Sequence, residues 1–303
     1  KLYKNIKNVR RRIIKDTFEE LHQYLDDKHD CYVCGGSNFS SWAKEEYLEA
    51  LYCNDCEMIS INPHFTEDGL DQFYNHYYEK RVISKELGEQ RKEIYIGDRD
   101  WILNHISKGK VLDIGCSGGD FLSTFDSHNW DKYGIDLTDD ALKSASENYG
   151  IKTFKGKVWE TDVGQDYDLV MMRGVIEHFK NPLPAMKKAI DILKPGGLMY
   201  LTATPAGDAF AFNVYRHKWR LFTPLEHIHF FSEKQLNKLF KEFGASPVSI
   251  HYPYQETPYS NVLEDQDRII RDIVKINDSD SLDEVDYSQA FPGSMLTGAW
   301  KKN

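Results

Sequence analysis

The chain has 303 residues, 41% of them hydrophobic and 28% charged, with a formal net charge of −10. That length suits one large α/β domain plus a small accessory module. The acidic balance weighs against a polynucleotide partner, which calls for a basic footprint, and no apolar run approaches the roughly 18 residues that span a bilayer.

Residues 1–30 place apolar side chains at helical spacing (Ile6, Val9, Ile13, Ile14, Phe18, Leu21, Leu25) and predict one amphipathic helix. It packs on the body or on a partner, which leaves a homodimer open. Its basic residues, Lys4, Lys7, Arg10, Arg11, Arg12 and Lys15, read as a solvated face. They lack the apolar core of a signal peptide. The first residue is not Met, so a preceding targeting segment stays open.

Residues 31–63 hold Cys31-Tyr-Val-Cys34 and Cys53-Asn-Asp-Cys56, with 18 residues between Cys34 and Cys53. Two such knuckles offer four thiolates to a tetrahedral Zn²⁺, and four leave no open position, so the metal is expected to be structural. Its role would be to fold a segment too small to hold a core alone. The surrounding acids Glu45, Glu46, Glu49, Asp55 and Glu57 argue against nucleic acid as a ligand of this module. This use of cysteine fits a reducing, cytoplasmic setting. Residues 64–108 predict a helical linker or cap rich in aromatics, among them Phe73, Tyr74, Tyr77 and Tyr78.

From residue 109 to 303 short apolar strands alternate with helical stretches, the pattern of an α/β domain with a parallel sheet. Strands are expected at Val111–Ile114, Tyr133–Leu137, Ile151–Lys155, Leu169–Met172 and Leu198–Ala203, then near Pro247–Tyr252 and Ser294–Trp300. A helix is expected near Ser232–Phe243. The acidic segment 254–290 reads as a surface insertion with one helix near Asn261–Ile276.

The strongest signal is Val111-Leu-Asp-Ile-Gly-Cys-Ser-Gly-Gly-Asp-Phe121. A buried strand runs into a glycine-rich turn, and glycines let backbone approach a ligand and take positive φ. Such a turn, at the carboxyl end of the first strand, is where open α/β sheets bind nucleotides. Asp136 ends the next strand about 20 residues on, where an acid reaches ribose hydroxyls. Asp113 inside the strand would repel a pyrophosphate. It suits S-adenosylmethionine (SAM), which has no phosphate and carries an ammonium and a sulfonium.

On these residues the stretch from about 110 to 250 resembles class I SAM-dependent methyltransferases, of the subgroup found with cell-surface sugar and natural-product pathways. Val111–Gly119 matches the family's glycine motif, with Ser117 in place of its middle glycine. Asp168-Leu-Val-Met-Met with Val175-Ile-Glu-His178, and Leu193-Lys-Pro-Gly-Gly197, match later motifs in order. The resemblance implies a Rossmann-like seven-stranded sheet with helices on both faces, beside the small zinc ribbon. It implies that Gly115, Ser117, Gly118 and Gly119 line the methionine part of SAM, with Cys116 a small buried filler in the same turn. It places Asp136 and Leu137 at the ribose and adenine, Lys157 and Val158 at the adenine edge, and Arg173 near the methionine. Tyr74 and Tyr78 would cover the site from the N-terminal side. A helix cap is the other role open to Asp136, and core packing the other role open to Leu137, Val158, Tyr74 and Tyr78.

A methyl acceptor that is a hydroxyl must lose a proton, and histidine suits that task near neutral pH. The stretch Phe222-Thr-Pro-Leu-Glu-His-Ile-His-Phe-Phe-Ser232 resembles the Glu-His element of the subgroup. His227 is the first candidate base, Glu226 its orienter and His229 the second candidate; His178 is mostly a structural residue of a shared turn. An N-terminal zinc module on a SAM domain resembles the C-methyltransferases of nucleotide-linked deoxysugars. Those carry a longer C-terminal domain, and their catalytic tyrosine is Pro224 here. Phe210, Phe212, Tyr215, Trp219 and Phe222, with Arg216, His217, Lys218 and Arg220, suggest an acceptor pocket or lid for a phosphorylated or nucleotide-linked sugar. The reading is thus an enzyme that methylates a hydroxyl of a small acceptor, a sugar, nucleotide-linked sugar or surface-polysaccharide precursor, with His227 as the base. An RNA or protein methyltransferase, or a non-catalytic SAM-fold partner, are its alternatives.

Overall fold

The computed structural model describes residues 16–80, 85–258 and 260–303, without the side chains of 76–80 and 85–89. Ile6 to Ile14 of the expected first helix, and the side chain of Tyr78, lie outside the described residues. Residues 16–21 are helical, with Phe18 and Leu21 packed against the core.

In chain order the main elements are β1 (Phe39–Glu45), β2 (Leu48–Cys53), β3 (Ile59–Ile61), α1 (Glu67–Lys80), α2 (Lys85–Leu103), β4 (Gly109–Ile114), β5 (Trp130–Asp136), α3 (Asp139–Tyr149), β6 (Lys152–Lys155), β7 (Tyr167–Arg173), α4 (Leu183–Asp191), β8 (Leu193–Pro205), α5 (Phe210–Tyr215), β9 (His229–Phe230), α6 (Glu233–Glu242), β10 (Ala245–His251), α7 (Val262–Ser279) and β11 (Met295–Lys302). The runs Val111–Ile114 and Leu169–Met172 are apolar at nearly every position because their strands are covered on both faces. Along β7, Val170 and Met172 join one core cluster while Leu169 and Met171 join the other, the period of two that a strand imposes. Burying each such side chain stabilises the fold by about 1.5–3 kcal/mol.

The large sheet has the order β10-β11-β8-β7-β4-β5-β6. Strands β4 to β8 run parallel, and β11 and β10 add antiparallel. This is the expected seven-stranded Rossmann-like sheet. After β4 the chain builds outward to β5 and β6, then returns to β7 on the other side. That reversal opens a crevice at the carboxyl ends of β4 and β7.

The ribbon strands β1, β2 and β3 form a second sheet, and its fourth strand is β9 from the far end of the chain. Ile59 pairs with Phe230 and Ser60 with His229. Gln235 Nε2 donates to the Cys56 carbonyl at 3.0 Å, so α6 is also tied to the ribbon. Ser232 and Gln235 cap α6 reciprocally. The module at 31–63 is therefore joined to the body by a shared sheet.

The segment 254–290 does contain one helix, α7, but part of its acidity is internal. Asp265 and Asp272 are buried and accept hydrogen bonds from Tyr254 (2.5 Å) and Tyr215 (2.7 Å). Among the described residues no helix is long and apolar enough to cross a membrane.

Candidate active site

A cleft of about 810 Å³ opens at the crevice, a size that suits a cofactor and a small second molecule. One wall is the turn after β4. Gly115 (φ 75°) and Ser117 (φ 48°) both have left-handed backbone. A Cβ on Gly115 would lie 2.6 Å from Val175 Cγ2, so glycine is required there on two counts. Ser117 occupies a conformation that glycine prefers, and its N–H donates to Asp136 Oδ2 at 2.9 Å. Asp136 Oδ1 accepts from the N–H groups of Leu137 (2.8 Å) and Thr138 (3.2 Å). Four donors, counting the Thr138 hydroxyl at 3.1 Å, hold one carboxylate at the cleft edge. Asp136 thus caps the turn into α3 and faces the cleft at once.

Gly115, Cys116, Ser117, Leu137, Lys157 and Val158 also line this side. Cys116 is buried. Gly118 and Gly119 do not reach the cleft lining. A Cβ on Gly119 would meet Ile151 Cδ1 at 2.6 Å and Ala145 Cβ of α3 at 3.0 Å, so that glycine serves close packing against α3 and Ile151 just after it. Lys157 Nζ pairs with Glu67 Oε2 at 2.6 Å, tying this side of the cleft to α1. Tyr74 of α1 also lines the cleft, its ring 6.2 Å from that of His178.

Asp113 lies at the floor of the cleft. Burial pushes its carboxyl up to about 8, against the pull of Arg173. Arg173 Nε donates to Asp98 Oδ2 at 3.0 Å, and its guanidinium stands 4.5 Å from the centre of the Tyr95 ring. Tyr200 and Thr202 donate to the other Asp98 oxygen, each at 3.3 Å. Asp98, on α2, carries no sequence motif; it locks the arginine from 75 residues away. A buried acid at the floor, a fixed turn of backbone N–H groups and a held Asp136 are a donor and acceptor set that fits SAM.

The opposite wall comes from the turn after β7 and the loop before β9. Glu177 is 1% exposed. Its Oε1 has no hydrogen-bond partner, and burial pushes its carboxyl up to about 8. His178 Nε2 is 3.8 Å from that oxygen. The His178 and His227 rings are 5.1 Å apart, and the ligand atoms of the three residues lie within 4.8 Å of one another. Each ring is oriented through Nδ1–H, which donates to a backbone carbonyl: Glu226 for His178 (2.8 Å) and Leu221 for His227 (2.8 Å). In the neutral rings this makes Nε2 the basic nitrogen. Such a group can take or share a proton.

Three expectations for this wall need correction. The orienter of His227 is the Leu221 carbonyl, not the Glu226 side chain. Glu226 holds His178 through its backbone, while its side chain belongs to a residue lining the cleft. His229 is buried in β9, outside the cleft lining, with Nε2 bonded to the Lys180 carbonyl at 2.9 Å. Burial pushes it down to about 4, so it stays neutral. Most rings of the 210–222 stretch are core rather than lid: Phe212, Tyr215, Trp219 and Phe222 are buried, and Phe210 is exposed outside the cleft lining. Phe212 stacks on Trp219 at 4.4 Å, Arg216 lies over Trp42 of the ribbon at 3.6 Å, and buried Lys218 donates to the Val285 carbonyl at 2.8 Å. From this stretch only Leu221 is part of the cleft lining.

In the ribbon, Cys31 Sγ and Cys56 Sγ are 3.6 Å apart, as are Cys34 Sγ and Cys53 Sγ. A tetrahedral zinc with bonds of about 2.3 Å puts its sulfurs about 3.8 Å apart, so the four side chains fit that ion.

Residues 87–250 match the family model described as a methyltransferase domain. The ubiquinone biosynthesis O-methyltransferase of Dinoroseobacter shibae is 29% identical over 150 residues, which cover 46% of this chain and 60% of that one. An uncharacterised protein of Methanocaldococcus jannaschii is 27% identical over 161 residues, covering 53% of this chain and 76% of that one. The chain thus spans less than two thirds of the curated O-methyltransferase. Among solved structures, the 1,6-didemethyltoxoflavin-N1-methyltransferase of Burkholderia thailandensis superposes with a TM-score of 0.53 at 11% identity, over 87% of this chain and 99% of that one. The magnesium protoporphyrin IX methyltransferase of Synechocystis, with S-adenosylhomocysteine bound, gives 0.50 at 12% identity, over 78% and 95%. At these identities the likeness is one of fold.

Proposed function

This chain belongs to the family of SAM-dependent class I methyltransferases, and on that premise we propose that it methylates a hydroxyl of a small acceptor, with His227 taking the proton. The observation that carries the reading is the pairing of two walls across one cleft. One fits the cofactor; the other turns Glu177, His178 and His227 toward the same space. SAM, when bound, supplies a methyl already activated on a sulfonium.

The protein's own part is to align the acceptor oxygen and receive its proton. His227 Nε2 receives it because Nδ1–H is engaged with the Leu221 carbonyl. Glu177, kept protonated near neutral pH by its burial, stands 3.8 Å from His178 Nε2 as a neighbouring acid of the histidine pair. The name of the Dinoroseobacter relative supports oxygen as the acceptor atom. For the acceptor itself we assign a sugar, a sugar-like polyol or a phenolic ring small enough for the cleft beside the cofactor. The structure removes the support that the 210–222 stretch gave to a phosphate group. Cys31, Cys34, Cys53 and Cys56 hold a structural zinc in this reading, in a cytoplasmic protein.

The test is an assay with methyl-labelled SAM against a panel of nucleotide-linked sugars and catechols, run with wild type and His227→Ala. Transfer to an acceptor oxygen that His227→Ala reduces at least about 100-fold supports the assignment. Transfer that survives intact in the variant removes His227 as the base.

A further inference from the structure

The acceptor-side loop is held from two directions, and one of the holding groups has no place in the mechanism so far. Thr223 O accepts from the N–H groups of Glu226 (2.9 Å) and His227 (2.8 Å). This makes a tight turn with Pro224 inside it and His227 at its end. From the β7 side, the Glu177 carbonyl accepts from Ile228 N–H at 2.7 Å and His178 bonds to the Glu226 carbonyl. From the ribbon side, Ile61 N–H donates to the Ile228 carbonyl at 2.8 Å. The remaining bond is made by a side chain: His64 Nε2 donates to the Pro224 carbonyl at 2.9 Å across 160 residues.

His64 is 2% exposed. Its Nδ1 is buried without a partner. A carbonyl only accepts, so the proton must sit on Nε2 and the imidazole is fixed in one tautomer. Keeping a buried nitrogen unsatisfied costs about 1–3 kcal/mol. An apolar side chain at 64 would avoid that cost, but it would orphan the Pro224 carbonyl. The bond lies at the front of the turn, the part that the contacts at 226–228 do not reach.

We propose that His64 is a positioning residue for the acceptor wall, through which the segment just after the ribbon fixes the turn that ends in His227. The inference rests on the assignment of His227 above. That assignment fails separately, if His227→Ala leaves methyl transfer intact.

The test compares His64→Leu, which removes the donor, with His64→Gln, whose amide nitrogen can replace Nε2. Full-length protein loaded with S-adenosylhomocysteine is read by amide hydrogen exchange and by the ring resonances of ¹⁵N-labelled histidine. In His64→Leu, exchange at Glu226 and His227 speeds up at least about tenfold and the His227 ring signals shift. In His64→Gln both stay near wild type. S-adenosylhomocysteine affinity stays within about twofold in both variants, because the cofactor wall is untouched. If His64→Leu does not fold, His64→Asn takes its place; it keeps an amide, one methylene too short to reach. Unchanged His227 signals and exchange in a folded variant lacking the donor would overturn the proposal. So would equal disturbance in His64→Gln.

Discussion

The cofactor wall takes its turn and its acid from one run of sequence, Asp113 to Asp136, whereas the acceptor wall gathers Glu177, His178, Glu226 and His227 from two distant segments. The first is held by backbone N–H groups that the turn itself supplies. The second is held by bonds that cross the fold, one from the ribbon at Ile61 and one from His64 just after it. A wall built locally keeps its geometry when distant parts loosen. One assembled from afar depends on each of them. Damage to the acceptor wall should therefore lower turnover and spare cofactor affinity.

The largest effect that would sharpen this contrast is on turnover. With an acceptor found by the panel, His227→Ala lowers kcat by about 10² to 10⁴, the usual contribution of general base catalysis. S-adenosylhomocysteine affinity by calorimetry stays at the wild-type value. A parallel fall in affinity would break the separation of the two walls.

The next effect concerns the ribbon. In the zinc site proposed for the ribbon, Cys53→Ser removes one of the four ligands, and metal binding in such sites is folding free energy. We expect loss of the bound zinc by elemental analysis. The unfolding midpoint should fall by roughly 3 °C, equivalent to about 2 kcal/mol for a chain of this size. Because β9 pairs with β3, exchange at Ile228 and Phe230 should rise before exchange in β4 does.

A smaller effect follows from the two buried acids. Asp113 and Glu177 are both pushed up to about 8 by burial, against about 4 in the unfolded chain. The folded state then holds protons that the unfolded chain has released. The stability from this source is complete below about pH 4 and is lost as pH rises through 8. Asp113→Asn and Glu177→Gln should each flatten the decline of the unfolding midpoint between about pH 6.5 and 8. An unchanged slope in Glu177→Gln would mean that Glu177 is charged in the fold.

The smallest is Ser117→Gly. A left-handed non-glycine residue costs about 1–2 kcal/mol, partly offset by the entropy glycine adds to the unfolded chain. The variant should gain up to about 1 kcal/mol and bind S-adenosylhomocysteine within about twofold of wild type.

How much of this was legible in the sequence follows the same division. The glycine turn and Asp136 could be read because their chemistry is contiguous, and the strands because their apolar runs are covered on both faces. Glu177 was visible only as part of a shared turn; nothing in its neighbours reveals that it is buried with an unpartnered oxygen. Asp98 gave no signal, because its partner Arg173 meets it only in the fold. The aromatics of 210–222 misled, since density of rings is the same cue for a lid and for a core. Strand β9 has two residues, too few for any periodicity, so the shared sheet between ribbon and body was not readable. Pro224 stands where the resembling enzymes carry a tyrosine. Its carbonyl, which no side-chain pattern describes, is what His64 holds.

The central claim is that the turn after β4 and Asp136 form a SAM site. Calorimetric titration with S-adenosylhomocysteine, wild type against Asp136→Ala, tests it most directly. The account predicts binding near micromolar, weakened at least about tenfold in the variant by loss of a charged hydrogen-bond acceptor, with the fold intact by circular dichroism. No binding by folded wild-type protein, or equal affinity in both proteins, would contradict it.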